Sequence, residues 1–332
     1  MKSKSSSQNS KTSRTLFSKS GYLSAQSGMN LVALAASALT MTLCGGMTVA
    51  DDVLVSSGLV VHVDAGSVKA DDAQTDDQRV NAVEFSADTT TRFVQPEAKS
   101  QPKLVKFGDD VVLRFDGKDD HLRAVGTGLS ADAATIFIVA APHSNAGDFR
   151  GLFAANAPEQ RDYESGLTID LGPGPTRRFD QLNIEGRGFG GAKDVREADS
   201  GFEILHTLET VIDLVAKEVR LLVDGKLEGT RPFAPGRVSL EELTLGARYY
   251  TNGPGPHQVR GPFHGDVAEL LVFDRVLSAD EASSVRAYLK KKHAKLVDEL
   301  PKSVPSAGGA GVGLVMAKDA PPIQMFVPGF RV

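Results

Sequence analysis

The chain has 332 residues, 41% hydrophobic and 24% charged, which is enough apolar material for a sizeable core in one or two domains. Its formal net charge of −5 argues against a nucleic-acid partner, because phosphate binding needs a concentrated Lys/Arg face and none stands out beyond the N-terminal segment. The 33 glycines and the absence of tryptophan suit a turn-rich β protein better than a helical one.

Residues 1–50 read as a secretory signal peptide. Lys2, Lys4, Lys11, Arg14 and Lys19 lie in a Ser-rich stretch, the apolar run Leu31 to Leu43 follows, and Thr48-Val49-Ala50 offers small residues for cleavage. The run is short for a bilayer span, so export to a secreted or periplasmic location, with no membrane span after cleavage, is the expectation. The single cysteine, Cys44, falls inside this leader. The mature protein would then have no disulfide, no Cys-ligated metal and no Cys nucleophile.

From Val53 to Phe273 short apolar stretches alternate with Gly, Pro, Asp and Asn. Predicted strands are Leu59–Asp64, Val111–Phe115, Thr135–Ala140, Leu167–Leu171, Val211–Val215, Val219–Val223, Leu243–Leu245 and Val267–Phe273. Asp224-Gly225 and Asp116-Gly117 follow such runs as tight-turn signals. Ser278-Ala279-Asp280-Glu281 is a capping box, and Val285, Tyr288 and Leu289 give the helix after it an apolar stripe. The pattern is all-β with one short C-terminal α-helix. The sandwich is placed at residues 51–296, and residues 297–332, rich in Pro, Gly, Ala and Ser as far as Pro322, form a linker and tail.

Three segments resemble the laminin-G-like jelly-roll domain of the concanavalin A-like lectin/glucanase superfamily. They are Gly58 to Ala65; Leu113-Arg114-Phe115-Asp116-Gly117 running on to Leu122; and Gly265-Asp266-Val267-Ala268-Glu269 through Asp274-Arg275-Val276-Leu277-Ser278 to Glu281 and Tyr288-Leu289. The resemblance implies a jelly-roll sandwich of two antiparallel sheets with ligands bound on rim loops or a sheet face. It does not name one function, since the fold hosts lectins, adhesion modules and glycosidases. The tail Pro322 to Phe330 also resembles the opening of a domain found in large exported bacterial proteins, which implies the front module of a multidomain system.

Glycosidases of this superfamily carry an E-x-D-x-E strand that aims its carboxylates at one face, as acid/base chemistry requires. Here the nearest fragment, Glu197-Ala198-Asp199, has Gly201 where the third acid would stand. No catalytic residue is therefore assigned. His257 and His264 flank a Gly/Pro-rich loop and read as loop residues rather than a metal pair. No cofactor is expected, although hard oxygen donors at Asp116, Asp119 and Asp120 could hold calcium; the same residues also read as a solvated turn. Aromatic faces stack on sugar rings and anchor protein partners, so Tyr163, Tyr249 and Tyr250, with Arg187 and Arg248, are the candidate ligand-binding residues. The expectation is a non-catalytic module binding glycan or protein, with a divergent glycoside-processing enzyme and a structural spacer as the alternatives. The oligomeric state is left open.

Overall fold

The computed structural model describes residues 54–68, 73–74, 78–85, 88–147, 149–190, 200–234 and 236–303. The leader with Cys44, the fragment Glu197-Ala198-Asp199 and the tail beyond Ser303 lie outside them.

Two large antiparallel sheets form a sandwich, as the strand pattern predicts. The larger sheet runs through Lys226–Pro232, Glu218–Val223, His206–Asp213, Ala134–Ser144, His264–Phe273, Asp110–Asp116, Lys103–Phe107, Arg79–Val80 and Ala73–Gln74. Leu59–Asp64 pairs with the C-terminal half of His264–Phe273, whose N-terminal half pairs with Asp110–Asp116. The smaller sheet runs through Asn183–Gly186, Leu167–Asp170, Gly151–Asn156, Glu242–Leu245, Leu122–Val125, Asp88–Val94 and Ala82–Phe85.

The near-continuous apolar run of Ala134–Ser144 has a structural cause. Ile136 and Ile138 face the core between the sheets. Phe137, Val139 and Ala141 face the opposite way, into a second apolar layer beneath the C-terminal helices. A strand covered on both faces does not alternate in polarity. His264–Phe273 follows the same rule, with Leu270 and Val272 in the core and Leu271 and Phe273 in the second layer.

Local chemistry sets the turns and ends. Asp224 and Gly225 have φ of 52° and 78°, which closes the Val223↔Lys226 hairpin in the left-handed region that this dipeptide tolerates. Ser278 Oγ accepts from Glu281 N at 3.2 Å and Glu281 Oε2 accepts from Ser278 N at 2.9 Å, completing the predicted capping box. The helix it starts, Ala279–Lys292, buries Ala282, Val285 and Leu289. A second helix, Ala294–Ser303, continues past residue 296 because Leu296 and Leu300 are fully buried in the same layer.

The strand predicted to reach Val215 instead runs His206–Asp213. Asp213 Oδ1 accepts the N–H groups of Val215 and Ala216 at 3.0 and 2.9 Å, closing a turn that leaves Val215 93% exposed.

A buried charge network fastens the first of these helices to the larger sheet. Glu269 Oε1 meets His62 Nε2 at 2.8 Å, and Oε2 meets His293 Nε2 and Lys292 Nζ, each at 2.7 Å. Burial alone would raise this carboxyl, but its partners, His293 first, hold it well below the usual carboxylate range.

Candidate ligand-binding site

The outer face of the smaller sheet is unusually polar. In Leu167–Asp170, Leu167 and Ile169 point into the core, so pleating turns Thr168 and Asp170 outward. In the neighbouring Asn183–Gly186, Ile184 points inward and Asn183 and Glu185 outward. Register places Asn183 opposite Asp170 and Glu185 opposite Thr168.

Two short elements bring the remaining groups to this face. One is a single helical turn, Asp162–Ser165; the other is a small hairpin made by Arg248–Tyr250 and Gln258–Arg260. The hairpin follows a very close backbone approach. A Cβ on Gly151 would lie 2.5 Å from the Ala247 carbonyl carbon, so only glycine fits there.

Arg248 is the centre of the cluster and is 2% exposed. Its Nε donates to Asp162 Oδ2 at 3.1 Å and its Nη2 to Asp162 Oδ1 at 2.9 Å, a bidentate pair. Asp170 Oδ2 lies 3.2 Å from Nη1, and Glu185 Oε2 lies 3.8 Å from Nη2. Asp162 also accepts the backbone N–H groups of Tyr163 at 2.7 Å and Tyr249 at 2.9 Å, so one buried carboxylate ties the helical turn to the hairpin.

Desolvation and charge compete at these groups. Burial pushes the Asp170 carboxyl up to about 6 against the pull of Arg248, and it raises Glu185 for the same reason. Burial works against the Arg248 cation, but the hydrogen-bonded Asp162 and the other two acids outweigh it and raise its pKa further.

The aromatic rings are arranged around this cation. The Arg248 guanidinium carbon sits 4.7 Å from the Tyr250 ring centroid, 5.6 Å from that of Tyr163 and 5.4 Å from that of Phe149. The Tyr163 and Tyr250 rings meet edge to face at 6.1 Å, and Tyr163 donates its hydroxyl to Asn252 Oδ1 at 2.8 Å. Both rings are half-buried, so each is held in place yet keeps surface for a ligand.

Tyr249 points to the other side of its strand, where Arg123 lies 4.0 Å from its ring centroid and pairs with Glu242 at 2.6 Å. The sequence allowed at most one of Tyr249 and Tyr250 in the core. Both stay half-buried outside it, and the residue buried there is Arg248.

Arg187 does not join the cluster. The strand ends at Gly186, where Gly186 and Phe189 exchange backbone hydrogen bonds around Gly188 at φ +85°, and the turn carries Arg187 away to lie exposed near Gly236. His257 and His264 also stand apart, His257 facing Tyr249 and His264 facing His143.

Asp116, Asp119 and Asp120 do come together, with carboxylate oxygens all within 4.8 Å of one another. Part of this carboxylate surface is occupied by the turn itself and by neighbouring Ser100. Asp116 Oδ1 accepts from Lys118 N at 2.8 Å, Asp119 Oδ2 from Ser100 Oγ at 3.0 Å and Asp120 Oδ2 from Asp116 N at 2.9 Å. Asp120 is buried, and burial together with neighbouring Asp116 pushes its carboxyl up to about 7. Its Oδ1 has no hydrogen-bond partner among the described residues, and Arg79 Nη1 lies 3.8 Å from it.

The sequence reading missed Asp162, Asp170 and Glu185. One signal was present: an aspartate inside the apolar run Leu167-Thr168-Ile169-Asp170-Leu171 implies a buried acid with a partner.

No family model matches the chain, and no curated protein matches it in sequence. Solved structures do resemble it. Domain 4 of AbnA, a GH43 extracellular arabinanase from Geobacillus stearothermophilus solved with arabinotriose, is 14% identical, covers 70% of this chain and 98% of its own, and has a TM-score of 0.44. The CBM40 of the Ruminococcus gnavus IT-sialidase, bound to α2,3-sialyllactose, is 21% identical over 47% of this chain and 80% of its own, at a TM-score of 0.34. Trypanosoma rangeli sialidase with the inhibitor DANA is 10% identical over 72% of this chain and 34% of its own, at 0.46.

Proposed function

We propose that the chain is an exported, non-catalytic glycan-binding module of the laminin-G/concanavalin A-like kind, reading sugars on the outer face of the smaller sheet. The supporting observation is the Tyr163–Tyr250 pair, two half-exposed rings locked over a buried Arg248 with Glu185 beside them. Fixed aromatic faces receive the apolar side of a sugar ring, and a neighbouring carboxylate accepts its hydroxyls.

The test is a glycan array on the protein and its Tyr163→Ala and Tyr250→Ala variants, with and without calcium. Saturable binding that weakens roughly tenfold or more in either variant supports the proposal. Binding unchanged in both, or no binding to any glycan, overturns it.

Perturbed carboxyls gather at catalytic sites, so the raised Asp170 and Glu185 favour a glycoside-processing enzyme as the second reading. Turnover of a bound glycan, abolished by Glu185→Gln, would establish it. The calcium proposal rests on the hard oxygen donors of Asp116, Asp119 and Asp120. A rise in the thermal midpoint on adding calcium, absent in Asp119→Asn, supports it. Export is tested by N-terminal sequencing of the secreted protein, which should begin at Asp51.

A further inference from the structure

Three polar side chains meet at one end of the larger sheet, away from the glycan face. His206 opens the strand His206–Asp213, and Asp224 lies in the turn that joins Glu218–Val223 to Lys226–Pro232. Register sets Leu208 opposite Val223, so the start of the first strand and the turn are neighbours. Ser200 is held by an antiparallel bridge to Phe179, with backbone hydrogen bonds of 2.9 and 3.1 Å.

Their order is that of a nucleophile, a base and an acid. His206 Nε2 lies 2.9 Å from Ser200 Oγ, and His206 Nδ1 lies 2.7 Å from Asp224 Oδ2. An ionised carboxylate only accepts, so it keeps the imidazole proton on Nδ1 and leaves Nε2 to accept from the serine hydroxyl. The carboxylate is itself oriented. Asp224 Oδ1 accepts the Thr207 N–H at 2.9 Å, and the Asp224 N–H donates to the Thr207 carbonyl at 2.8 Å. The buried His206 ring packs against Phe179 with centroids 5.5 Å apart, which restrains its rotation. The carboxylate alone would suffice to hold a buried histidine; the serine on the other nitrogen sets a nucleophile beside a base.

His206 and Asp224 also line a cavity of about 290 Å³. Val139, Leu205, Leu289 and Val297 give it an apolar lining. Lys290 lines it too, and its ammonium has no ion-pair partner among the described residues.

We infer that Ser200, His206 and Asp224 form a hydrolytic triad acting on carboxylic esters whose short apolar acyl group enters this cavity. Ser200 Oγ adds to the ester carbonyl carbon while its proton passes to His206 Nε2. The tetrahedral adduct collapses and expels the alcohol, which leaves with that proton, so that an acyl-serine remains. Water then gives a proton to His206 and adds to the acyl carbon. The second adduct expels Ser200 Oγ, which recovers the proton, and the carboxylic acid departs. Asp224 stabilises the imidazolium in both halves, and Lys290 supplies positive charge to the cavity as each oxyanion develops. The triad is on the larger sheet, its activity is additional to the glycan face on the smaller one, and it does not depend on the reading of that face.

The test uses the full chain, with p-nitrophenyl acetate, butyrate and hexanoate as substrates and a fluorophosphonate probe followed by peptide mass mapping. The probe should label Ser200 of the unaltered protein. The kcat/KM should rise from acetate to hexanoate as methylenes are buried. Ser200→Ala and His206→Gln should each lower it roughly a hundredfold or more, and Ser200→Ala should abolish labelling. Ser200 is partly exposed, so Ser200→Ala should keep the parent's thermal midpoint. Labelling of the unaltered protein stands on its own if His206→Gln does not fold. Hydrolysis of none of the three esters, no probe adduct or one at another residue, a rate falling from acetate to hexanoate, or an undiminished rate in Ser200→Ala would each overturn the inference.

Discussion

Replacing Asp162 by alanine removes the group that joins the helical turn to the hairpin. Four donors lose their acceptor at once: Arg248 Nε and Nη2, and the backbone N–H groups of Tyr163 and Tyr249. Asp162 is fully buried and Arg248 nearly so, and breaking such a pair leaves an uncompensated charge that costs about 3–5 kcal/mol. Asp170, 3.2 Å from Nη1, remains as a partial counter-charge, which places the expected loss near the lower end, about 3 kcal/mol. For a domain of this size that lowers the thermal midpoint by roughly 6–12 °C.

Differential scanning calorimetry of Asp162→Ala, Arg248→Met and the double variant measures it. Each single variant should be strongly destabilised. The double variant should be more stable than the sum of the two by about 2 kcal/mol, because the second change removes the charge stranded by the first. Additive losses, or a midpoint shift under about 2 °C in Asp162→Ala, would refute the reasoning and show that the other two acids hold Arg248 without Asp162.

Asp170 makes a pH prediction. Its folded pKa of about 6 lies above the ordinary aspartate value of 3.8, so between those values the native state holds a proton that the unfolded chain has released. Stability from this group is therefore present in acid and falls as pH rises through that window, by up to about 3 kcal/mol. Denaturant titrations from pH 4 to 7 should show a smaller decline in Asp170→Asn than in the parent, and parallel slopes would count against the burial argument.

Gly246 has φ +80°, and a Cβ there would lie 2.2 Å from Phe115 Cε1, so Gly246→Ala should cost about 2–4 kcal/mol in a denaturant melt. Glu269→Ala strips His62, His293 and Lys292 of their shared carboxylate. Hydrogen exchange should then speed up in Ala279–Lys292 far more than in the smaller sheet, and uniform acceleration would contradict its role as the helix anchor.

The parts visible in the sequence were those set by neighbours in the chain. Apolar runs marked eight strands, an Asp-Gly pair marked the hairpin at Asp224, and a four-residue box marked the start of the closing helix. Each depends on contacts within a few residues, so composition and spacing carry it. Tyr163, Arg248 and Tyr250 were also found in the sequence, as residues beside turns, and the structure does bring these three together.

What surrounds them was not readable. Asp162, Asp170 and Glu185 come from three successive elements far in the chain from Arg248, and they converge on it because the strands bearing Asp170 and Glu185 pair in one register and a distant hairpin brings Arg248 to them. Arg187 looked equivalent to Arg248 but falls in a turn that aims it elsewhere. A row of three cations on the larger sheet is clearer still. Arg79, Lys103 and Arg114 form no basic run in the sequence, whose net charge is negative, yet long-range pairing lines them up. Side-chain alternation along one strand is local and is written in the residues. Which strand lies beside which, and in what register, depends on closing a shared core, and that step decides which charges meet.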